Sequence, residues 1–338
     1  MHIVITGGAG FIGARLARTL LQRGTLALAG GAAQPVTRIT LVDRAPAPAD
    51  LAADPHIVAA TGDLNSQLAD PAAAFWSQAD VVFHLAAAVS GECEADFDLG
   101  MRSNFAATHA LLERLRAAGT TPVVVFSSSL AVFGDSPAQP LQPVIGDDTL
   151  PTPQTSYGIQ KFIGEQLVAD YTRKGFVHGR SVRLMTVSVR PGRPNGAASS
   201  FFSGMVREPL AGVRAPCPVP DDTPVALASP ARTIEGILRA AEASDADWGP
   251  RTALNLPSLS TTVGEMAAAL GRVAGPEALA LLDRTPDPAI MRIVKTWPGR
   301  FETPRARALG LGSDTSFDDV IRDYVRENPD AVKLAIRA

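Results

Sequence analysis

Cysteine is almost absent from this chain of 338 residues, with Cys93 and Cys217 the only two. Two thiols are too few for a disulfide framework or a cysteine-rich zinc site, so they read as free thiols in a reducing compartment, and no metal is expected. No segment approaches the ~18 uninterrupted apolar residues of a membrane helix. The chain opens on a strand-like apolar run rather than on a basic region followed by a long apolar stretch, so a cytoplasmic protein is expected. An excess of charge is also missing. Lysine and arginine total 31 against 34 aspartates and glutamates, a formal net charge of -3. That balance gives no reason to expect nucleic acid or an anionic membrane as partner. No repeat period is visible. With 46% hydrophobic and 19% charged residues, the chain is a folded globular protein, long enough for a full core and a smaller second lobe.

Near-continuous apolar runs at residues 2–6, 38–42, 57–60, 81–85 and 123–127 suit strands buried on both faces of a parallel sheet. Amphipathic stretches at 12–22 and 104–118 lie between them, which predicts an α/β fold with a Rossmann-type, doubly wound parallel sheet. A further helix is expected over 157–174 and a strand over 181–189. After Arg190 the character changes. Residues 191–195 form a turn-rich break, 216–230 are proline-dense, and helices follow around 231–243, 262–274 and 316–326. The chain therefore divides into a first domain over 1–190 and a smaller C-terminal lobe over 191–338, which can return a strand to the main sheet. The Ala- and Gly-rich stretch 24–37 reads as an enlarged loop between the first helix and second strand.

Gly7, Gly10 and Gly13 follow the first strand directly and lead into a helix, with Phe11 and Ile12 between the last two glycines. The first glycine permits a tight turn, the second lets backbone amides approach a pyrophosphate, and the third allows close helix–sheet packing. The helix N-terminus supplies unpaired N–H groups and a favourable dipole for phosphates. Asp43 ends the second strand, where a carboxylate can accept from the adenosine ribose hydroxyls and repel a 2′-phosphate. NAD is therefore favoured over NADP, although Arg44 leaves room for the phosphate. The spacing from Gly7 exceeds the usual ~20 residues, and the enlarged loop accounts for it. Asp63 after the third strand is placed to bind the adenine amino group or to cap a loop. Leu85, Ala86 and Ala87 after the fourth offer small side chains where a cofactor passes close to the backbone.

Tyr157 and Lys161 in Tyr-Gly-Ile-Gln-Lys stand one helical turn apart, downstream of the Ser127-Ser128-Ser129 run. A free tyrosine has a pKa of about 10, and a nearby ammonium favours the phenolate, bringing it toward a working range for a base. Thr6-Gly7-Gly8-Ala9-Gly10-Phe11-Ile12-Gly13, Gly62-Asp63-Leu64, His84-Leu85-Ala86-Ala87, Phe126-Ser127-Ser128-Ser129 and Tyr157 to Lys161 occur in order. Together they resemble the extended, epimerase-like branch of the short-chain dehydrogenase/reductase superfamily, over about the first 195 residues. The resemblance implies NAD as cofactor, Ser129 as holder of the substrate oxygen and Tyr157 as base. The same resemblance implies that Lys161 also bonds the nicotinamide ribose and that Asn104 supports the lysine through water. It further implies a homodimer formed through the helices of Tyr157 and Asn104.

Two absences narrow the branch. The acidic pair that sugar-nucleotide dehydratases carry after the serine is replaced by Leu130 and Ala131. The Arg-Asp and Tyr-Val-x-Asp segments of nucleotide-sugar epimerases are missing from residues 224–230. The block from Val189 to Leu210, with the Cys217-Pro218-Val219 stretch, resembles instead the D-erythronate dehydrogenase family. That implies NAD-dependent oxidation of a four-carbon sugar acid at carbon 2 to a 2-oxo acid, within sugar-acid catabolism. A carboxylate substrate needs a fixed cation. Arg193, Arg207 and Arg232 are the candidates, with Ser199, Ser200 and Asn195 for its hydroxyls. Two alternatives stay open. One is a nucleoside-diphosphate-sugar 4-epimerase, which retains its NAD through the cycle; the other is a non-catalytic NAD-binding sensor.

Overall fold

The seven parallel strands of the main sheet explain most of the apolar runs. This computed structural model describes residues 1–194 and 196–337. His2–Thr6, wholly buried, pairs with Arg38–Asp43 on one side and Val81–His84 on the other. Ile57–Thr61 lies beyond Arg38–Asp43, while Val123–Ser129, His178–Leu184 and Leu254–Asn255 extend the opposite side. The strand order thus reverses beside His2–Thr6, as in a doubly wound sheet. Helix Phe11–Arg23 ends on Gly24, whose left-handed backbone (φ 66°) lets its N–H return to Leu20 O.

Several expected boundaries shift for identifiable reasons. Ile57–Thr61 has one neighbour only, so it is an edge strand with Val58 exposed rather than a strand buried on both faces. Val123–Ser129 runs two residues past the expected end, because register with His178–Leu184 continues to Ser129 opposite Leu184. The strand expected over 181–189 is two pieces. His178–Leu184 stays in the main sheet, and Thr186–Val187 leaves it to pair with Pro224–Ala228. The 24–37 loop contains a short hairpin, Thr25–Leu26 with Gln34–Pro35. It is anchored by Leu26 and Val36 in the core and by Ala29 and Gly30 amides on Ala241 and Glu242 carbonyls.

Beyond residue 190 the chain contributes to both lobes. Helices Ser200–Leu210, Val263–Leu279 and Phe317–Glu327 enclose a separate core that includes Phe202, Met205, Met266 and Ile321. Helix Pro230–Glu242, in the segment assigned to the smaller lobe, packs instead on the main sheet; its Ile234, Ile237 and Leu238 join Ile3, Ile5 and Val125. Leu254–Asn255 returns as the seventh strand of that sheet, beside His178–Leu184. Among the described residues, no helix is long and apolar enough to cross a membrane.

Candidate active site

Two adjoining cavities open at the carboxyl ends of the main-sheet strands. The larger, about 330 Å³, lies where the strand order reverses. Gly7, Gly10, Phe11, Ile12, Gly13, Asp43, Asp63, Leu64, Leu85, Ala86 and Ala87 all line it. Backbone crowding explains the small residues. Gly7 has a left-handed φ of 70°, and a Cβ there would stand 2.9 Å from the Ala86 N. At Gly10 an added Cβ would meet only the Gly7 O, at 3.2 Å, so the remaining space is cavity. No side chain caps the N-terminus of helix Phe11–Arg23, which leaves its first N–H groups for an anion. Asp43 is held at both oxygens, Oδ2 accepting from Ala9 N and Oδ1 from Ala45 N, each at 3.0 Å. Asp63 lines the cleft and also caps helix Leu64–Ala69, accepting from Ser66 N at 3.1 Å. Uncapped amides, a fixed carboxylate and a cradle closed to side chains fit the phosphates and adenosine of a dinucleotide.

The second cavity, about 200 Å³, shares Ile12, Leu85, Ala87 and Arg190 with the first. Ser127, Ser128, Ser129, Tyr157 and Lys161 line it together. Lys161 donates from Nζ to Ser127 O at 2.8 Å and stands 5.0 Å from the Phe126 ring centre. Burial lowers the Lys161 ammonium to about 8. Tyr157 is pushed up to about 12 by burial; a hydrogen bond with Ser129 and the charge of Arg190 act in the opposite direction. The expected lowering by Lys161 is therefore not the dominant influence on the phenol. The ammonium donates to the Ser127 carbonyl and lies 5.7 Å from the Tyr157 ring centre.

The rest of the serine run and Asn104 hold the walls. Ser128 donates to Glu165, which forms a buried ion pair with Arg183 at 2.8 Å. Ser127 Oγ donates to His84 O at 3.1 Å. Asn104 sits in a π-helical turn, Met101–Ala106. Its Oδ1 accepts from Ala88 N at 2.8 Å, and its Nδ2 donates to Gln160 Oε1 at 2.9 Å. It thus ties the loop after Val81–His84 to helix Ser156–Arg173 immediately before Lys161, without a direct bond to the lysine. Beneath both cavities, His84 is clamped between Thr6 Oγ1 at 2.7 Å and Thr108 Oγ1 at 2.9 Å, and burial lowers it to about 3.

The pattern of the NAD dependent epimerase/dehydratase family matches residues 3–224. The chain belongs to this family. A D-erythronate dehydrogenase of Cupriavidus necator is 50% identical over 97% of this chain and 98% of its own length. One from Haemophilus influenzae is 38% identical over 96% and 99%. The crystal structure of a nucleoside-diphosphate-sugar epimerase from Agrobacterium tumefaciens superposes with a TM-score of 0.86 at 42% identity, covering 98% of this chain and 95% of that one.

Within this epimerase/dehydratase frame, the residues expected to bind substrate scatter. Ser199 lines the second cavity, and Ser200 opens helix Ser200–Leu210 without lining it. Arg193 is exposed and lines neither cavity. Arg207 is buried behind the site, its guanidinium bonded to Arg190 O at 2.8 Å and to Glu208 at 2.5 Å. Arg232 pairs with Glu235 on helix Pro230–Glu242 and lines neither cavity. Asn195 lies outside the described residues. Of the lining residues that escaped the sequence reading, two carry groups that can bind a polar substrate from the cavity wall. Arg190 borders both cavities, and the indole N–H of Trp297, at the second, is buried with no hydrogen-bond partner among the described residues. Arg190 had a usable signal as the first cation after the strand that follows the Tyr-Lys helix. Trp297 had none, since the fold of the C-terminal lobe alone brings it there. No group of three or more metal-binding side chains occurs among the described residues.

Proposed function

We propose that the chain is an NAD-dependent dehydrogenase that oxidises D-erythronate at carbon 2 to 2-dehydro-D-erythronate. The carrying observation is that Ser129, Tyr157 and Lys161 share one small cavity continuous with a dinucleotide-shaped cleft. The names of the two relatives, 50% and 38% identical over almost the whole chain, support the choice of acid. A cavity of about 200 Å³ suits a four-carbon acid. The nucleotide of a sugar-nucleotide substrate would need room beyond it.

NAD, when bound, supplies the hydride acceptor. Gly7, Gly10, Gly13 and the amides at Phe11 and Ile12 hold its phosphates, Asp43 its adenosine ribose, and Asp63 and Leu64 its adenine end. Leu85, Ala86 and Ala87 allow close passage. Lys161 bonds the nicotinamide ribose. Ser129 positions the substrate hydroxyl and Tyr157 takes its proton. Asn104 acts one step back, fixing the helix that carries both. The protein acts in the cytoplasm, in sugar-acid catabolism, as a homodimer; exposed Phe97 and Ile159, on neighbouring helices Phe97–Gly100 and Ser156–Arg173, support the pairing.

The test is NADH formation from NAD and D-erythronate, with L-threonate, a hexuronate and UDP-glucose in parallel. NADH from D-erythronate that disappears in Tyr157→Phe is the expected result. UDP-sugar interconversion at constant cofactor absorbance, with no NADH from any acid, would overturn the proposal in favour of an epimerase.

A further inference from the structure

We infer that Arg190, rather than any arginine of the C-terminal lobe, binds the substrate carboxylate and makes the site selective for acids. The inference rests on the dehydrogenase reading and names the group that recognises its substrate class.

Connectivity fixes where such a cation must be. In a 2-hydroxy acid the carboxylate carbon is bonded directly to the carbon that carries the reacting hydroxyl. Its counter-charge therefore has to stand beside the group that removes the hydroxyl proton. Lys161 and Arg190 are the cations among the residues lining the Tyr157 cavity. Lys161 gives one donor to the Ser127 carbonyl, and in the dehydrogenase reading its remaining donors face the nicotinamide ribose. Arg190 is near enough to Tyr157 for its charge to act on the phenol.

Arg190 is also short of partners. Among the described residues its Nε reaches only Ser203 Oγ, at 3.5 Å, and its Nη2 is buried with no hydrogen-bond partner. Among the described residues no carboxylate forms an ion pair with it, whereas the neighbouring Arg207 has Glu208. A guanidinium does not shed its proton to escape such a position, so a buried unpaired N–H is a standing demand for an acceptor. A carboxylate meets that demand with charge-assisted bonds that an amide or alcohol cannot match. The arginine is held ready: its backbone N–H donates to Ser203 Oγ at 3.0 Å, and Arg207 clamps its carbonyl.

Because Arg190 also borders the larger cavity, the rival role is contact with the cofactor's phosphates. The experiment compares wild type, Arg190→Met and Arg190→Lys on D-erythronate and on D-erythronamide, its neutral amide, with NAD affinity and melting temperature measured for each. Arg190→Met should lower kcat/KM for the acid by about 100-fold, mainly through KM, and for the amide by less than about threefold. Arg190→Lys should recover part of the acid preference. An unchanged acid-to-amide ratio, an equal loss on both substrates, or a loss confined to NAD affinity would each overturn the assignment. If wild type oxidises no sugar acid, the dehydrogenase reading fails and the arginine is judged by calorimetry of D-erythronate binding to the NAD-loaded protein. Binding that vanishes in Arg190→Met then upholds it, and binding that persists, or is absent in wild type, removes it.

Discussion

The two cavities are built on opposite principles. The larger is shaped by backbone: three glycines, a run of small residues after Val81–His84 and an uncapped helix end, with Asp43 pinned by two main-chain amides. The smaller is shaped by side-chain chemistry, with a phenol, an ammonium, a guanidinium and hydroxyls brought from four stretches of chain. A backbone-built pocket tolerates few changes of volume and asks little of charge. A pocket of buried ionisable groups tolerates volume changes but depends on how each charge is balanced. The difference assigns one cavity to holding and the other to reacting.

Breaking the reacting cavity should have the largest effect. Tyr157→Phe removes the proposed proton acceptor, and kcat should fall by about 10² to 10⁴-fold with NAD affinity unchanged, read by steady-state kinetics and a cofactor titration. In wild type, oxidation should accelerate as pH rises through the neutral and alkaline range. The phenol must lose its proton, and burial holds it up at about 12. A rate independent of pH there would show that another group takes the proton.

Breaking the holding cavity should leave chemistry intact and cost affinity. Gly7→Ala forces an L side chain into a left-handed backbone and against the Ala86 amide. NAD affinity should drop by about tenfold or more and stability by about 1–3 kcal/mol, checked by calorimetry and denaturant unfolding. Asp43→Ser removes the carboxylate proposed to repel a 2′-phosphate, so the NAD-to-NADP ratio of kcat/KM should narrow by about tenfold. An unchanged ratio would move that selectivity to Arg44.

The smallest effect comes from beneath both cavities. His84 has a folded pKa of about 3 against an ordinary 6.5, so below pH 6.5 the unfolded chain binds a proton that the folded one refuses. Its contribution to stability is complete above 6.5 and is lost as pH falls toward 3, with a slope of up to about 1.4 kcal/mol per pH unit. Denaturant unfolding between pH 7 and 4.5 should show that slope, and His84→Asn should flatten it by about one proton.

The holding cavity was legible in the sequence because its physics is local. A strand, a glycine-rich turn and a helix start are consecutive residues, and their spacing alone implies a phosphate cradle. Tyr157 and Lys161 were legible for the same reason, one turn apart on one helix. The anion-binding side of the reacting cavity was not. Position just after the strand sets Arg190 apart in the linear chain but does not exclude Arg193, Arg207 or Arg232; only folding shows that Arg207 props the site from behind and that Arg232 rides on a helix of the main sheet. The tuning of Tyr157 was misjudged likewise, since spacing shows the lysine but not the carbonyl that occupies it.

The chain's return to the main sheet through Pro230–Glu242 and Leu254–Asn255 has a mechanical consequence. The part covering the reacting cavity is stitched down at several points, so it cannot swing away as a hinged door would. Ligand exchange is then expected through loosening of the seam around residues 191–194, 196–199 and Trp297, with the helices above staying put. Hydrogen exchange should then show fast amides along that seam and shared, slow protection of Ser200–Leu210 and Val263–Leu279. A chain severed after residue 190 would lose a strand and a flanking helix from its own sheet, and so would be a torn fabric rather than a smaller domain.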